Sequence, residues 1–181
     1  PIEGEKIIDC CAGAGGKTLH LAALIQNKGH ITAMDIVPKK LTELTLRATR
    51  ANASGCIETR EINAKTLKAL NAHADCLLID APCSGLGTLK RQPDLKWRLT
   101  PEQFTRVRQI QAELLASYTA MLKPGGRLVY ATCSILPSEN RAAIEPLLAS
   151  GQFSLLVESP ISPAATGFDG FYAAALVKNS A

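Results

Sequence analysis

The sequence predicts one doubly wound α/β domain, in which a mostly parallel sheet is covered by helices on both faces. Short apolar runs alternate with helical patterns along most of the chain, as in repeated β-α-β units. The run over 75–79 is almost wholly apolar, which is typical of a central parallel strand. A glycine-rich turn, Gly13-Ala14-Gly15-Gly16, joins the first predicted strand to the first predicted helix.

The first half of the chain predicts alternating strands and helices. Runs of apolar and β-branched residues beside turn residues predict strands over 6–10, 29–34, 57–62 and 75–79. Between them, helical patterns extend over about 17–25 and 38–53. The second helix begins at Pro38, because proline favours the first position of a helix.

The second half begins with a long helix. Thr100, Pro101 and Gln103 form a helix-start signature, and apolar residues recur at helical spacing as far as Met121. Pro124-Gly125-Gly126 is expected to end this helix before a strand over 127–130.

A further helix and two closing strands are expected after that strand. The helix follows Pro137, and Pro146 is expected to kink or shorten it. The strands are predicted over 153–157 and 171–177. Because only a short polar loop separates them, they should pair antiparallel at one edge of the sheet.

The composition narrows the class of protein. The chain has 181 residues, of which 46% are hydrophobic and 20% charged, which suits one globular domain. No apolar stretch is long enough to cross a membrane, so we expect no membrane partner. The net charge of +4 is compatible with an acidic polymer as partner. The sequence gives no indication of the oligomeric state.

The cysteines argue against a metal site or a disulfide framework. The six cysteines include no C-x-x-C pair, and the three histidines do not complete a ligand pattern. We therefore expect no metal, free thiols and a reducing cytoplasm. Cys10, Cys56 and Cys76 are interpreted as small buried hydrophobic residues.

The glycine-rich turn predicts a ligand site. Such a turn lets the backbone of the chain approach a ligand, with the N–H groups of the helix end facing it. Asp35 follows the second predicted strand, about 20 residues further on, where a carboxylate can accept hydrogen bonds from ribose hydroxyls. The alternative is that Asp35 caps the helix that begins at Pro38.

A nucleotide-hydrolysing enzyme is a different interpretation of the same turn. Gly16-Lys17-Thr18 could end a phosphate loop, and 77–80 could be its Walker B strand. The phosphate loop requires an earlier glycine, however, and that position is Cys11. This departure argues against the hydrolase.

Two cysteines follow predicted strands at positions where ligands bind. Cys83 lies in the segment 80–85, Asp-Ala-Pro-Cys-Ser-Gly, and Cys133 lies in 131–134, Ala-Thr-Cys-Ser. Because strand ends of an open α/β sheet meet at one crevice, both thiols should reach the same site. Two thiols in one crevice favour covalent chemistry over packing.

Several motifs, in order and over nearly the whole chain, resemble those of the Sun (Fmu) family of RNA cytosine-5 methyltransferases. They are 9–18, 80–85, 91–97, 130–134 followed by Pro137, Glu139 and Asn140, and 169–172. The resemblance implies a Rossmann-like, S-adenosylmethionine-dependent methyltransferase fold with a seven-stranded sheet. It also implies one catalytic domain over 1–181, a fragment without the family's amino-terminal RNA-binding region.

The resemblance implies methyl transfer from S-adenosylmethionine to carbon 5 of a cytosine in RNA. Ribosomal RNA is favoured over transfer RNA as the substrate. A domain that binds RNA without turnover is a further alternative.

The resemblance makes Cys133 the nucleophile and Cys83 the residue of the release step. Asp80 would hold the ring nitrogen of the cytosine, and Lys17 would orient Asp80 or a phosphate. Sequence position alone leaves open which thiol attacks, because DNA cytosine-5 enzymes use a Pro-Cys pair, which corresponds to Cys83. Lys17 could instead be a solvated residue of the first helical turn.

The residues expected to bind the cofactor follow the ends of the first strands. They are Cys11, Ala12, Gly13, Ala14, Gly15, Gly16, Lys17, Asp35, Asn63 and Asp80. Two of them depart from the family pattern, since Ala14 replaces a proline and Asn63 replaces an aspartate. Asn63 can still accept and donate hydrogen bonds.

A basic loop with one tryptophan is the expected RNA-binding segment. It contains Lys90, Arg91, Lys96, Trp97 and Arg98. Cations for phosphates beside an aromatic ring for stacking are typical of proteins that hold single-stranded RNA. The target base must be unpaired or flipped to reach the thiols. The alternative is that Trp97 packs against the long helix.

Overall fold

The computed structural model describes residues 1–180 and contains, within that range, one seven-stranded sheet. The strands are β1 (Lys6–Asp9), β2 (His30–Asp35), β3 (Ile57–Glu61), β4 (Ala74–Asp80), β5 (Leu122–Thr132), β6 (Phe153–Ile161) and β7 (Phe171–Lys178). The helices are α1 (Gly16–Leu24), α2 (Pro38–Arg50), α3 (Ala64–Ala69), α4 (Leu95–Arg98), α5 (Pro101–Tyr118), α6 (Arg141–Ala149) and α7 (Pro163–Thr166). None of these helices is long and apolar enough to span a membrane.

The strand order is β3-β2-β1-β4-β5-β7-β6, which confirms the predicted doubly wound α/β fold. The five strands β3, β2, β1, β4 and β5 are parallel to one another. β7 pairs antiparallel with both β5 and β6, so the predicted antiparallel pair lies at one edge of the sheet. The direction of the connections reverses at β1, whose neighbours are β2 and β4, and such a switch point opens a crevice at the carboxyl ends of the strands.

The strand boundary that was expected after Pro124-Gly125-Gly126 is wrong. β5 begins at Leu122 rather than at 127, because Gly125, with φ of 76°, lets Pro124-Gly125-Gly126 form an irregularity inside the strand. α6 contains Pro146 and continues past it to Ala149.

Other differences concern short elements. α3 was not expected, and it begins where the side chain of Asn63 accepts a hydrogen bond from the Thr66 N–H at 2.9 Å. The basic loop contains the short helix α4. β6 is longer than expected and is followed by α7 rather than by a polar loop alone. α5 ends at Tyr118, and a single 3-10 turn continues it to Met121.

The main core lies between the sheet and the helices α5 and α6. Leu77, Ile79 and Tyr130 of the central strands are fully buried and belong to one cluster with Leu115 of α5 and Ile144 of α6. This packing fixes β4 and β5 side by side, which determines where their carboxyl ends deliver the following residues. Cys10, Cys56 and Cys76 are buried, which confirms their interpretation as small hydrophobic residues.

Candidate active site

A cavity of about 420 Å³ lies at the carboxyl ends of the parallel strands, within the size range of small-molecule sites. The expected residues Cys11, Gly13, Asp35 and Asp80 line one part of it. The other lining residues are Cys10, Ile36, Val37, Lys40, Ile62, Ala81, Pro82, Cys83, Ile110, Leu114, Tyr118 and Cys133. The cavity therefore connects the glycine-rich turn to both candidate thiols.

The glycine-rich turn has a left-handed backbone conformation that favours glycine. Gly13 and Gly15 have φ of 55° and 90°. A Cβ atom at Gly15 would also lie 2.6 Å from Cγ of Leu44. The Nη1 atom of Arg47 donates a hydrogen bond to the backbone oxygen of Ala14 at 2.8 Å, so α2 holds the outer side of the turn.

Asp35 joins the turn to the end of β2. Its Oδ2 accepts a hydrogen bond from the Gly13 N–H at 2.9 Å, and its Oδ1 accepts one from the Val37 N–H at 2.8 Å. Val37 occupies the N-cap position of α2, which has no side-chain cap, so the alternative that Asp35 caps this helix is wrong. The carboxylate lines the cavity, where its remaining lone pairs can accept hydrogen bonds from a ligand.

The thiols of Cys83 and Cys133 are in direct contact, with their sulfur atoms 3.2 Å apart. With Cys83 as donor, this hydrogen bond lowers the pKa of Cys133 to about 7, although burial and the charge of Asp80 act against it. The same hydrogen bond, followed by burial, raises the pKa of Cys83 well above the ordinary value. In this arrangement Cys83 is the thiol that keeps its proton and Cys133 is the one that ionises more readily, and the two roles exchange if Cys133 is the donor instead.

Cys11, which also lines the cavity, does not have the lowered pKa of Cys133. Burial, and then the charges of Asp9, Asp80 and Asp35, raise the pKa of Cys11 to about 12. A protonated thiol is a poor nucleophile. Cys11 is therefore suited to lining the cavity rather than to attacking a substrate.

Lys17 and Asp80 form an ion pair beside the thiols. The Nζ of Lys17 lies 2.5 Å from Oδ2 of Asp80 and 5.4 Å from the centre of the Phe171 ring. The alternative that Lys17 is a merely solvated lysine is therefore wrong. The pair holds one carboxylate oxygen and leaves the other available at the cavity wall.

Six of the ten expected cofactor residues are not among those that line the cavity, namely Ala12, Ala14, Gly15, Gly16, Lys17 and Asn63. Asn63 caps α3, and the cavity within residues 1–180 is lined at this strand end by Ile62 instead. Sequence reasoning missed Ile36 and Val37, the two apolar residues that directly follow Asp35 and line the cavity. Ile36 is 71% exposed, which is the signal that an apolar ligand group could cover it.

The end of the basic loop lies beside Cys83, since Arg98 and Cys83 line one cavity, and cations of the loop make contacts with the protein. Trp97 is 81% exposed, so the alternative that it packs against the long helix is wrong. Lys96 lies over the Trp97 ring at 5.0 Å from its centre. Lys90 donates a hydrogen bond to the backbone oxygen of Gly167. Arg91 forms an ion pair with Asp169, and Arg98 forms one with Asp94.

A second cavity, also of about 420 Å³, opens between α4 and the start of α5. Cys83 and Ser84 form one of its walls, and Arg98 and Phe104 lie among its other lining residues. In the described range 1–180, no group of three or more His, Cys, Asp or Glu side chains could hold a metal ion.

Comparisons with known proteins identify the family. The family described as 16S rRNA methyltransferase RsmB/F matches residues 1–177. Ribosomal RNA small subunit methyltransferase B of Vibrio vulnificus is 37% identical over 187 residues, which cover 99% of this chain and 44% of that protein. The chain thus spans less than half the length of the curated relatives that it matches.

Two solved structures from Pyrococcus horikoshii have the same fold. NSun6, solved with SFG, has a TM-score of 0.89 and 28% identity, and the match covers 100% of this chain and 50% of that one. A methyltransferase homolog protein has a TM-score of 0.81 and 30% identity, and the match covers 98% of this chain and 63% of that one. The cavity at the strand ends and the paired thiols are thus features of a chain that belongs to the 16S rRNA methyltransferase RsmB/F family.

Proposed function

We propose that this domain transfers a methyl group from S-adenosylmethionine to carbon 5 of a cytosine in ribosomal RNA, through a covalent cysteine–cytosine intermediate. The observation that carries the proposal is the contact between the Cys83 and Cys133 thiols at the end of a ligand-sized cavity. Carbon 5 of cytosine is a weak nucleophile, and addition of a thiolate to carbon 6 activates it. The chemistry therefore needs a thiolate and a second group that removes a proton.

The cavity fits S-adenosylmethionine. Bound there, the cofactor would supply an electrophilic methyl group on a sulfonium centre. The carboxylate of Asp35 would accept hydrogen bonds from its ribose, and Ile36 and Ile62 would flank its flat adenine. The N–H groups of the glycine-rich turn would face its charged tail. The relative NSun6 was solved with SFG, an analogue of this cofactor, which supports the assignment.

Cys133 is the proposed attacking residue. Its thiolate forms the bond to carbon 6, and the electron pair of the ring's double bond moves to carbon 5 and the pyrimidine ring. Asp80, held by Lys17 at 2.5 Å, would stabilise a proton on the ring nitrogen as charge accumulates there. Carbon 5 then takes the methyl group, and the electron pair of the broken carbon–sulfur bond would remain on the sulfur of the demethylated cofactor.

Cys83 is the proposed base of the release step. Its pKa is raised chiefly by the hydrogen bond to Cys133. Once Cys133 becomes a thioether, that thiolate no longer holds the Cys83 proton, so Cys83 can lose this proton to solvent water. The Cys83 thiolate then accepts the proton from carbon 5, the double bond re-forms, and the bond between carbon 6 and Cys133 breaks. One pair of thiols thus serves both halves of the reaction.

Ribosomal RNA is the proposed substrate because the curated relatives are named as small-subunit ribosomal RNA methyltransferases. The exposed Trp97 and the cations around it would bind the strand that carries the target base. The geometry does not favour the nucleotide-hydrolysing alternative, because Lys17 is paired with Asp80 rather than free to bind phosphates. Titration calorimetry should therefore give heat with S-adenosylmethionine and none with ATP, and the opposite result would contradict the proposal.

Trapping with 5-azacytidine tests the roles of the thiols. In an RNA with this base, the nitrogen at position 5 has no proton to lose after methyl transfer, so the covalent adduct persists. The wild-type chain and the control Cys56→Ala should form the adduct, and Cys133→Ala should not. Cys83→Ala should still form it. Loss of the adduct in Cys83→Ala alone would reverse the assignment, and RNA binding without any adduct would favour a non-catalytic domain.

A further inference from the structure

A fully buried carboxylate lies behind the two thiols. Glu139 is 0% exposed. Its Oε1 accepts a hydrogen bond from the Ser84 N–H at 2.9 Å, and its Oε2 accepts one from the Ser84 hydroxyl at 2.6 Å. The hydroxyl of Ser134 also donates to Oε2. Because Ser84 and Ser134 directly follow Cys83 and Cys133 in the chain, one carboxylate binds both cysteine loops.

The segment that carries Glu139 is anchored to β5. The hydroxyl of Tyr130 donates a hydrogen bond to the backbone oxygen of Glu139 at 2.8 Å. The side chain of Asn140 accepts a hydrogen bond from the Thr132 hydroxyl at 2.6 Å and donates one to the Ser134 oxygen at 3.0 Å. Glu139 is therefore fixed relative to β5. Because its carboxylate binds Ser84, it also fixes the loop after β4 relative to that strand.

The chemistry of the group favours a geometric function. A buried carboxylate is costly unless its oxygens are hydrogen-bonded, and no lysine, arginine or histidine within residues 1–180 forms a salt bridge with Glu139. Two carboxylate oxygens can accept all three of the observed hydrogen bonds. The amide of a glutamine either sets its NH₂ against the Ser84 N–H or makes both serine hydroxyls accept from it, and the hydroxyl protons then lose the carboxylate oxygen to which they donate.

We propose that Glu139 is a positioning residue that sets the distance between the sulfur atoms of Cys83 and Cys133. It contacts neither sulfur and acts through Ser84 and Ser134. A hydrogen bond between two sulfur atoms is weak and requires this close approach, so loosening either loop should break it. The importance of the distance for turnover rests on the proposed function, but the distance itself can be tested without RNA.

The thiol–disulfide equilibrium with glutathione measures how closely the protein holds the two sulfur atoms. The two thiols reduce one oxidised glutathione to two reduced molecules while the bond between Cys83 and Cys133 forms, and peptide mass spectrometry quantifies that bond. In Glu139→Gln, the equilibrium constant should fall by about tenfold or more, because the sulfur atoms are no longer held together. The matched control is Glu145→Gln, an exposed glutamate of α6, which should behave as the wild type.

A second control separates positioning from general destabilisation. Ile144→Val, at a fully buried position of α6, loses stability without touching the carboxylate. It should keep the wild-type equilibrium constant. An unchanged constant in Glu139→Gln, or an equal fall in Ile144→Val, would overturn the proposal.

The pH dependence of alkylation gives an independent readout. In the wild type, iodoacetamide should modify Cys133 with a midpoint near pH 7. In Glu139→Gln, the midpoint should rise by about one unit or more, because the hydrogen bond from Cys83 is lost. If Glu139 acted only through its negative charge, neutralising it would lower the midpoint, so an unchanged or lower midpoint also overturns the proposal. Should Glu139→Gln fail to fold, Ser134→Ala removes one donor and should give a smaller rise.

Discussion

The stability of this domain should depend on pH through Asp9, at the end of β1. Its carboxylate is fully buried and accepts hydrogen bonds from the Thr18 hydroxyl at 2.7 Å and the Cys11 N–H at 3.4 Å. Burial outweighs these hydrogen bonds and raises the pKa of Asp9 from 3.8 to about 6. Since the pKa in the folded state is above that of the unfolded chain, folding takes up a proton between these values. The fold is therefore favoured at low pH, and this contribution is lost as the pH rises through about 6.

The magnitude follows from the size of the shift. A rise of about two pKa units corresponds to about 3 kcal/mol in total, of which about 1 kcal/mol is lost between pH 5 and pH 7. Asp9→Asn removes the titration while keeping an oxygen that can accept from Thr18. Urea unfolding at pH 5, 6 and 7 gives the free energy of unfolding of both proteins. From pH 5 to pH 7, the free energy of unfolding of the wild type should fall by about 1 kcal/mol relative to that of Asp9→Asn. Parallel pH curves would refute the reasoning.

Three further substitutions test other parts of the structure. Gly87→Ala would place its Cβ 1.9 Å from the oxygen of Gly170, so thermal unfolding should show a loss of about 2 kcal/mol or more, and a Tm equal to the wild type would contradict this packing. Thr100→Ala removes the capping box formed with Gln103 and should lower the free energy of unfolding by about 1 kcal/mol, as urea titration can check. Trp97→Ala should leave stability within about 0.5 kcal/mol but weaken RNA binding in a filter assay, and unchanged affinity would exclude stacking on this ring.

The parallel strands and the meeting of the two thiols could be predicted because both follow from local patterns. Apolar runs specify strands, and strand ends in a doubly wound sheet converge whatever the details of packing. The separation of 3.2 Å between Cys83 and Cys133 could not be predicted in this way. It depends on hydrogen bonds between loops that are far apart in the sequence, such as those of Ser84 with Glu139.

For Asn63 and for Trp97 of the basic loop, the local sequence was not sufficient to predict the environment of the side chain. The family resemblance assigned Asn63 to the cofactor, in place of an aspartate after the third strand. The same residue type is also a strong helix cap, and in the structure its side chain accepts a hydrogen bond from the Thr66 N–H. For Trp97, the sequence left burial and exposure open. In the structure the ring belongs to the short helix α4 and is exposed, a result of tertiary packing that the local sequence does not specify.

The antiparallel direction of β7 has a consequence for the site. A parallel strand delivers its carboxyl end to the crevice, whereas β7 delivers its amino end, where Phe171 is the first residue. There, the Gly170 N–H donates a hydrogen bond to the Gly87 oxygen at 2.7 Å, and the Gly87 N–H donates one to the Cys133 oxygen at 2.9 Å. The loops after β4 and β5 and the start of β7 therefore meet at one point, and Phe171 lies against Lys17. In this way the start of the antiparallel strand adds an aromatic contact to Lys17, the partner of Asp80 in the ion pair.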